Sequence, residues 1–100
     1  MEKIIVYWRD IPSQVIVKKG RKREKVLLDQ RFQQAIDRAA MRARKLDSDA
    51  YMGEWNREKS LLEDGEDLKS AVRREAQRLE ASYPADRLLQ LIKNHGLAGQ

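Results

Sequence analysis

The chain has 100 residues, with 21 Lys/Arg against 16 Asp/Glu, a net charge of +5 and no cysteine. That length is one domain's worth of chain, and the missing cysteine excludes a disulfide scaffold, thiolate metal ligands and a cysteine nucleophile. The longest apolar runs, such as Ile4–Trp8, are too short to span a bilayer and the N-terminus lacks a signal peptide's apolar region; a cytoplasmic protein with no membrane partner is expected.

In KIIVYWR, Ile4, Val6 and Trp8 alternate with Ile5, Tyr7 and Arg9. Both faces are largely apolar, which predicts an interior strand. Asp10-Ile11-Pro12-Ser13 interrupts it, because proline cannot donate to a ladder and Asp and Ser favour turns. QVIVKK resumes with Val15 and Val17 on one face and Ile16 on the other, so the two strands form a hairpin. Gly20 marks the next reversal, after which REKVLL runs back as a shorter third strand or as an extended lead-in to a helix. KKGRKREK, Lys18–Lys25, thus lies at a hairpin tip or the end of an edge strand, where lysines also discourage sheet-to-sheet pairing.

From Asp29 the period changes. Phe32, Ala35, Ile36, Ala39, Ala40, Ala43 and Leu46 recur at steps of three and four, predicting an amphipathic helix with Asp29 as its N-cap. Arg31, Gln34, Arg38, Arg42 and Lys45 form a basic stripe beside the apolar face. Tyr51, Gly53 and Trp55 alternate, which predicts a strand over about Tyr51–Arg57; a short helix starting at Ser48 is the competing reading. After Asp64-Gly65, Leu68, Ala71, Val72, Leu79 and Tyr83 mark a further helix with Glu66 and Asp67 at its positive end. Pro84 ends it and opens a last short helix carrying Leu88, Leu89, Leu91 and Ile92, closed by Gly96.

The order β-β-(β)-α-β-α-α describes an α+β fold of two layers: a mostly antiparallel sheet of three to four strands with two or three helices packed on one side. Residues 1–96 form the domain and 97–100 a frayed tail.

Little in this sequence supports chemistry. His95 is the only histidine and stands near a helix C-terminus, where a charge–dipole contact explains it better than ligation. The serines lack a nucleophile's context, the EDGED cluster at Glu63–Asp67 fits capping, and KKGRK lacks the spacing of a phosphate loop. No catalytic residue, metal or cofactor is expected, and the protein is expected not to be an enzyme. Binding is the stronger reading, because residues 1–50 carry 13 Lys/Arg against 7 Asp/Glu while residues 51–100 carry 8 against 9.

The segments VYWRDIPSQVIVKKGRK, RFQQAIDRAAMRA and DAYMGEW resemble, in order, the small bacterial domain family called virulence factor. That family occurs as a stand-alone chain and as a module of the HEAT-repeat protein called virulence factor C. The resemblance covers most of Ile4–Trp55 and loosens past Glu63. It brings no catalytic or ligand residues; in many bacteria such stand-alone members resemble accessory genes beside folate- or corrinoid-dependent one-carbon enzymes. It therefore implies an accessory subunit that binds a larger bacterial protein. The residues expected to meet that partner are Trp8, Arg9, Lys18, Lys19, Arg21 and Lys22, supplemented by Arg38 and Arg42. The alternative is sequence-tolerant nucleic-acid binding by the basic hairpin and the helix stripe.

Overall fold

The computed structural model describes residues 1–99. Strands β1 (Glu2–Trp8), β2 (Ile11–Lys19), β3 (Lys22–Leu27) and β4 (Trp55–Leu61) form one antiparallel sheet in the order β3-β2-β1-β4. The two strands with the richest β-branched alternation, β1 and β2, take the two interior places. Helices α1 (Gln30–Arg42), α2 (Ser48–Met52), α3 (Leu68–Ala81) and α4 (Ala85–Lys93) complete the fold. Helix α3 lies over β2 and β3, α1 packs on β2, and α4 packs on α1. The expected α+β architecture and element order are present, with all four strands formed and one further short helix, α2, before β4.

The main core lies between sheet and helices. Val15 and Val17 point into it from β2, and Phe32, Ala35, Ile36, Ala39, Ala71 and Val72 meet them from α1 and α3. Burying a side chain the size of Phe32 or Ile36 contributes about 1.5–3 kcal/mol, and the alanines let the helices approach the sheet closely. Ile4, Val6 and Ile16 alternate out of phase with these residues and form a second, smaller cluster on the other side of the sheet.

Two tight turns set the sheet's geometry. Lys19 pairs with Lys22 around a two-residue loop whose first residue, Gly20, has φ +61°. That is the position where a two-residue hairpin loop favours glycine. At the other end, Trp8 pairs with Ile11 around Arg9-Asp10, so the chain reverses earlier than expected. Pro12 and Ser13 lie inside β2, beside an irregularity in its pairing with β1 and beyond the last β3 pair, Gln14–Leu27. Pro12 therefore costs no β2–β3 ladder bond.

The strand expected over Tyr51–Arg57 begins only at Trp55, and Ser48–Met52 is helical. Asp47 caps that helix by accepting from the Ala50 N–H at 3.1 Å. Trp8 Nε1 donates to the Tyr51 carbonyl at 2.9 Å, and the two rings stack with centroids 5.9 Å apart. The two-residue steps Tyr51, Gly53, Trp55 thus serve an aromatic cluster around Trp8, with Tyr51 edge-on to Trp55, rather than a pleated strand.

Asp29 occupies the N-cap position of α1, but its carboxylate reaches Arg31 at 3.2 Å instead of a helix N–H. Asp67 makes the cap bond on α3, accepting from the Ser70 N–H at 2.8 Å. The segment expected to fray is held as far as Ala98, whose N–H donates to Asp10 at 2.7 Å; Gln100 lies outside the described residues. Among the described residues no helix is long and apolar enough to cross a membrane.

Candidate functional site

Strand pairing divides the cations of Lys18–Lys25 between the two sides of the sheet. Directly paired residues share a face, and successive residues alternate. Lys18, Arg23 and Lys25 fall on the face away from the helices, beside Glu2 and Ile16. Arg57 and Lys59 of β4 join them there, paired with Val6 and Ile4. Lys25 and Lys59 stand in one row across all four strands, roughly 14 Å apart at the usual strand spacing.

No helix covers the middle of this face, yet Ile4 and Ile16 are only 3% and 1% exposed. Their neighbours are long basic side chains, so the aliphatic stems of Lys25, Lys59 and Arg57 shelter the small apolar cluster while their charges reach water. Two leucines frame the face: Leu27 on β3 is 70% exposed and Leu61 on β4 is 86% exposed. A shallow groove of about 290 Å³ between Val6, Gln14, Met52, Trp55 and Arg57 lies at its far end.

The charge on this face is uncompensated. Among the described residues none of the five cations makes an ion pair, and Glu2 is the one carboxylate in the same rows. Several cations on the helix side are tied down. Lys3 Nζ reaches Glu75 at 2.8 Å, and Arg74 bonds the other oxygen of that buried carboxylate at 3.1 Å. Burial opposes the ionisation of Glu75, but the Lys3 and Arg74 hydrogen bonds outweigh it and hold the carboxyl below its ordinary range.

The other expected contact residues scatter. Trp8 is fully buried and cannot touch a partner. Arg9, at φ +53°, bonds Glu54 at 2.8 Å and the His95 carbonyl at 2.9 Å, so it clamps the β1–β2 turn to the rest of the fold. Lys19 and Lys22 point to the helix side, where a groove brings them and Arg21 beside Glu66, Asp67 and Leu68. Lys19 Nζ lies 3.8 Å from Asp64, whose carboxyl is held low by the chain's terminal ammonium and by Lys19. The acidic segment thus partly neutralises the hairpin tip.

Arg38 and Arg42 are exposed on α1, in the helix layer, and do not join the five cations. Arg31 of the same stripe is a structural clamp: it donates to the carbonyls of Tyr83 and Glu80 and lies over the Phe32 ring at 4.4 Å. Of the eight residues expected to bind, only Lys18 belongs to the open face. Arg57 and Lys59 were missed although Trp55-Arg57-Lys59-Leu61 alternates with Asn56-Glu58-Ser60: the expected strand ended on Arg57, which left it a lone cation there, and stopped short of Lys59.

Comparison with known proteins adds a family. The family model described as virulence factor matches residues 6–92, a span that includes all five open-face cations. The chain belongs to the virulence factor family. No curated protein and no solved structure matches the chain. On this virulence factor domain the open face is the side of the sheet that no helix covers. It is broad, basic and framed by apolar side chains.

Proposed function

We propose that this domain is a non-catalytic docking module that binds an acidic surface of a larger protein through its open sheet face. One observation carries the proposal: Lys18, Arg23, Lys25, Arg57 and Lys59 share one uncovered face without ion-pair partners among the described residues. A partner bringing carboxylates supplies what the fold withholds from this face, and complementary charge orients and speeds encounter. Leu27 and Leu61 supply apolar contact at its two edges. The resemblance of stand-alone members to one-carbon accessory genes makes a folate- or corrinoid-dependent enzyme the first partner to test.

A nucleic acid is the competing occupant. Single-strand binders add exposed aromatic platforms to their basic grooves, whereas Trp8 is buried and Trp55 is half-buried against the apolar cluster. The protein reading is therefore preferred.

The test starts from a partner recovered by native co-purification and compares its affinity for two double variants. Lys25→Glu/Lys59→Glu is expected to weaken binding at least tenfold, and Arg38→Glu/Arg42→Glu to leave it within twofold. Equal loss in both, or in neither, refutes the docking face. Fluorescence anisotropy with generic RNA and DNA at physiological salt is expected to show no binding; tight binding there, abolished by Lys25→Glu/Lys59→Glu, moves the assignment to nucleic acid.

A further inference from the structure

A second constellation lies on the helix side of the sheet, away from the basic face. Tyr7 of β1 and its pair Asn56 of β4 face α4 across a crevice of about 190 Å³, which Asp10, Glu58, Tyr83 and Arg87 also line. The crevice exists because α4 packs on α1 and leaves the outer corner of β1 and β4 uncovered.

Its polar groups converge without being used up. Tyr83 is less than a tenth exposed, with its ring edge-on to Phe32 at 6.0 Å. Tyr7 is half-buried opposite. Among the described residues neither hydroxyl makes a hydrogen bond, and neither oxygen is sealed from solvent. Both therefore open onto the crevice and are free to donate to a ligand there. The Arg87 guanidinium stacks 4.0 Å over the Tyr83 ring and gives Nη1 to the Ser82 carbonyl at 2.6 Å, leaving its remaining donors uncommitted. Asp10 accepts from Ala98 through one oxygen, and Glu58 makes no hydrogen bond or ion pair among the described residues.

These groups share one electrostatic field. Burial, then Tyr83, Glu58 and Asp10, pushes the Tyr7 phenol up to about 12, and burial raises Tyr83 as well. Both phenols are hydrogen-bond donors at neutral pH. The crevice thus offers a guanidinium and two phenol donors for a carboxylate, and two carboxylates for an ammonium. A bare anion would meet Glu58 and Asp10, and a bare cation would meet Arg87 and Arg9, the second already engaged by Glu54 and the His95 carbonyl. Its volume is below the 300–1,000 Å³ or so typical of drug-sized ligands.

We infer that this crevice binds a small zwitterion, a free α-amino acid, with its carboxylate on Arg87 and the two tyrosines and its ammonium on Glu58 and Asp10.

The test is an amide-shift NMR titration of the full chain with a pool of the twenty common α-amino acids, followed by the active member alone. Saturable shifts are expected around Tyr7–Asp10, Asn56–Glu58 and Arg87–Leu91. Arg87→Gln and Glu58→Gln should each weaken binding at least tenfold, and Tyr7→Phe, which removes only a hydroxyl, about threefold or more. Lys25→Glu/Lys59→Glu on the open face should leave it unchanged, so failure here is separable from failure of the docking face. The N-acetyl and C-amide forms of the same amino acid should lose binding. The inference is overturned if no pool member shifts these amides at millimolar concentration, or if the blocked forms or inorganic phosphate bind as well. Unimpaired binding by the folded Arg87→Gln and Glu58→Gln variants overturns it too.

Discussion

The two sides of this sheet treat charge in opposite ways. On the helix side Lys3 meets a buried carboxylate, Glu75, and Arg9 is locked between Glu54 and the His95 carbonyl. On the open side Lys18, Arg23, Lys25, Arg57 and Lys59 have no such partners among the described residues. Charges that are buried must be compensated within the fold, whereas charges kept in water are available to other molecules. Burial against a carboxylate or carbonyl, rather than local density of Lys and Arg in the chain, separates architectural cations from available ones.

The largest expected effect breaks the helix side. Lys3→Ala removes the principal partner of a carboxylate that is only 2% exposed, and should destabilise the fold by about 3 kcal/mol, since Arg74 remains. Chemical denaturation measures it. Glu75→Leu combined with Lys3→Met should lose much less than Lys3→Ala alone, because no under-compensated buried carboxylate is then left behind.

Next comes Gly96→Ala at the end of the sheet. Gly96 has φ +86°, and an added Cβ would lie 3.0 Å from the Trp8 ring. A loss of about 1–3 kcal/mol is expected from strain and displacement of the buried indole, seen as a lower melting temperature.

The pH profile sharpens the same contrast. The Glu75 carboxyl is lower in the folded state than in the unfolded chain, so the unfolded state binds the extra proton on acidification. Its contribution is fully present above the ordinary Glu range, about pH 4.3, and is lost as pH falls through the depressed folded value. Melting temperature should fall over that acid window in the wild type and fall less steeply in Glu75→Gln.

The smallest effect on stability belongs to the open face. Lys25→Glu/Lys59→Glu should cost no more than about 1 kcal/mol: the shorter stems shelter Ile4 and Ile16 less, but both side chains are otherwise exposed. A loss of several kcal/mol would show that these lysines support the fold instead.

Sequence periodicity revealed β1, β2 and α1 because their apolar residues keep one phase: Val15 with Val17, and Phe32, Ala35, Ile36, Ala39. The third helix was legible from Leu68, Ala71 and Val72, but Glu75 was not recognised as buried although it stands four residues after Ala71 on the same face. Its partner Lys3 is distant in sequence and gives no local sign of the pairing. Strand β4 was placed too early because Tyr51, Gly53 and Trp55 suit either alternation or an aromatic cluster, and β4 itself is polar on both faces, as an edge strand can be. The basic hairpin was correctly located, but its charges were treated as one patch; the pleat divides them, sending Lys18, Arg23 and Lys25 one way and Lys19 and Lys22 the other.

Lysine acetylation footprinting, free and in the native complex, tests the docking face most directly. The account predicts that a bound partner protects Lys18, Lys25 and Lys59 while Lys69 and Lys93, in the helix layer, react as in the free protein. Protection confined to Lys69 and Lys93, with Lys25 and Lys59 still fully reactive, would contradict it.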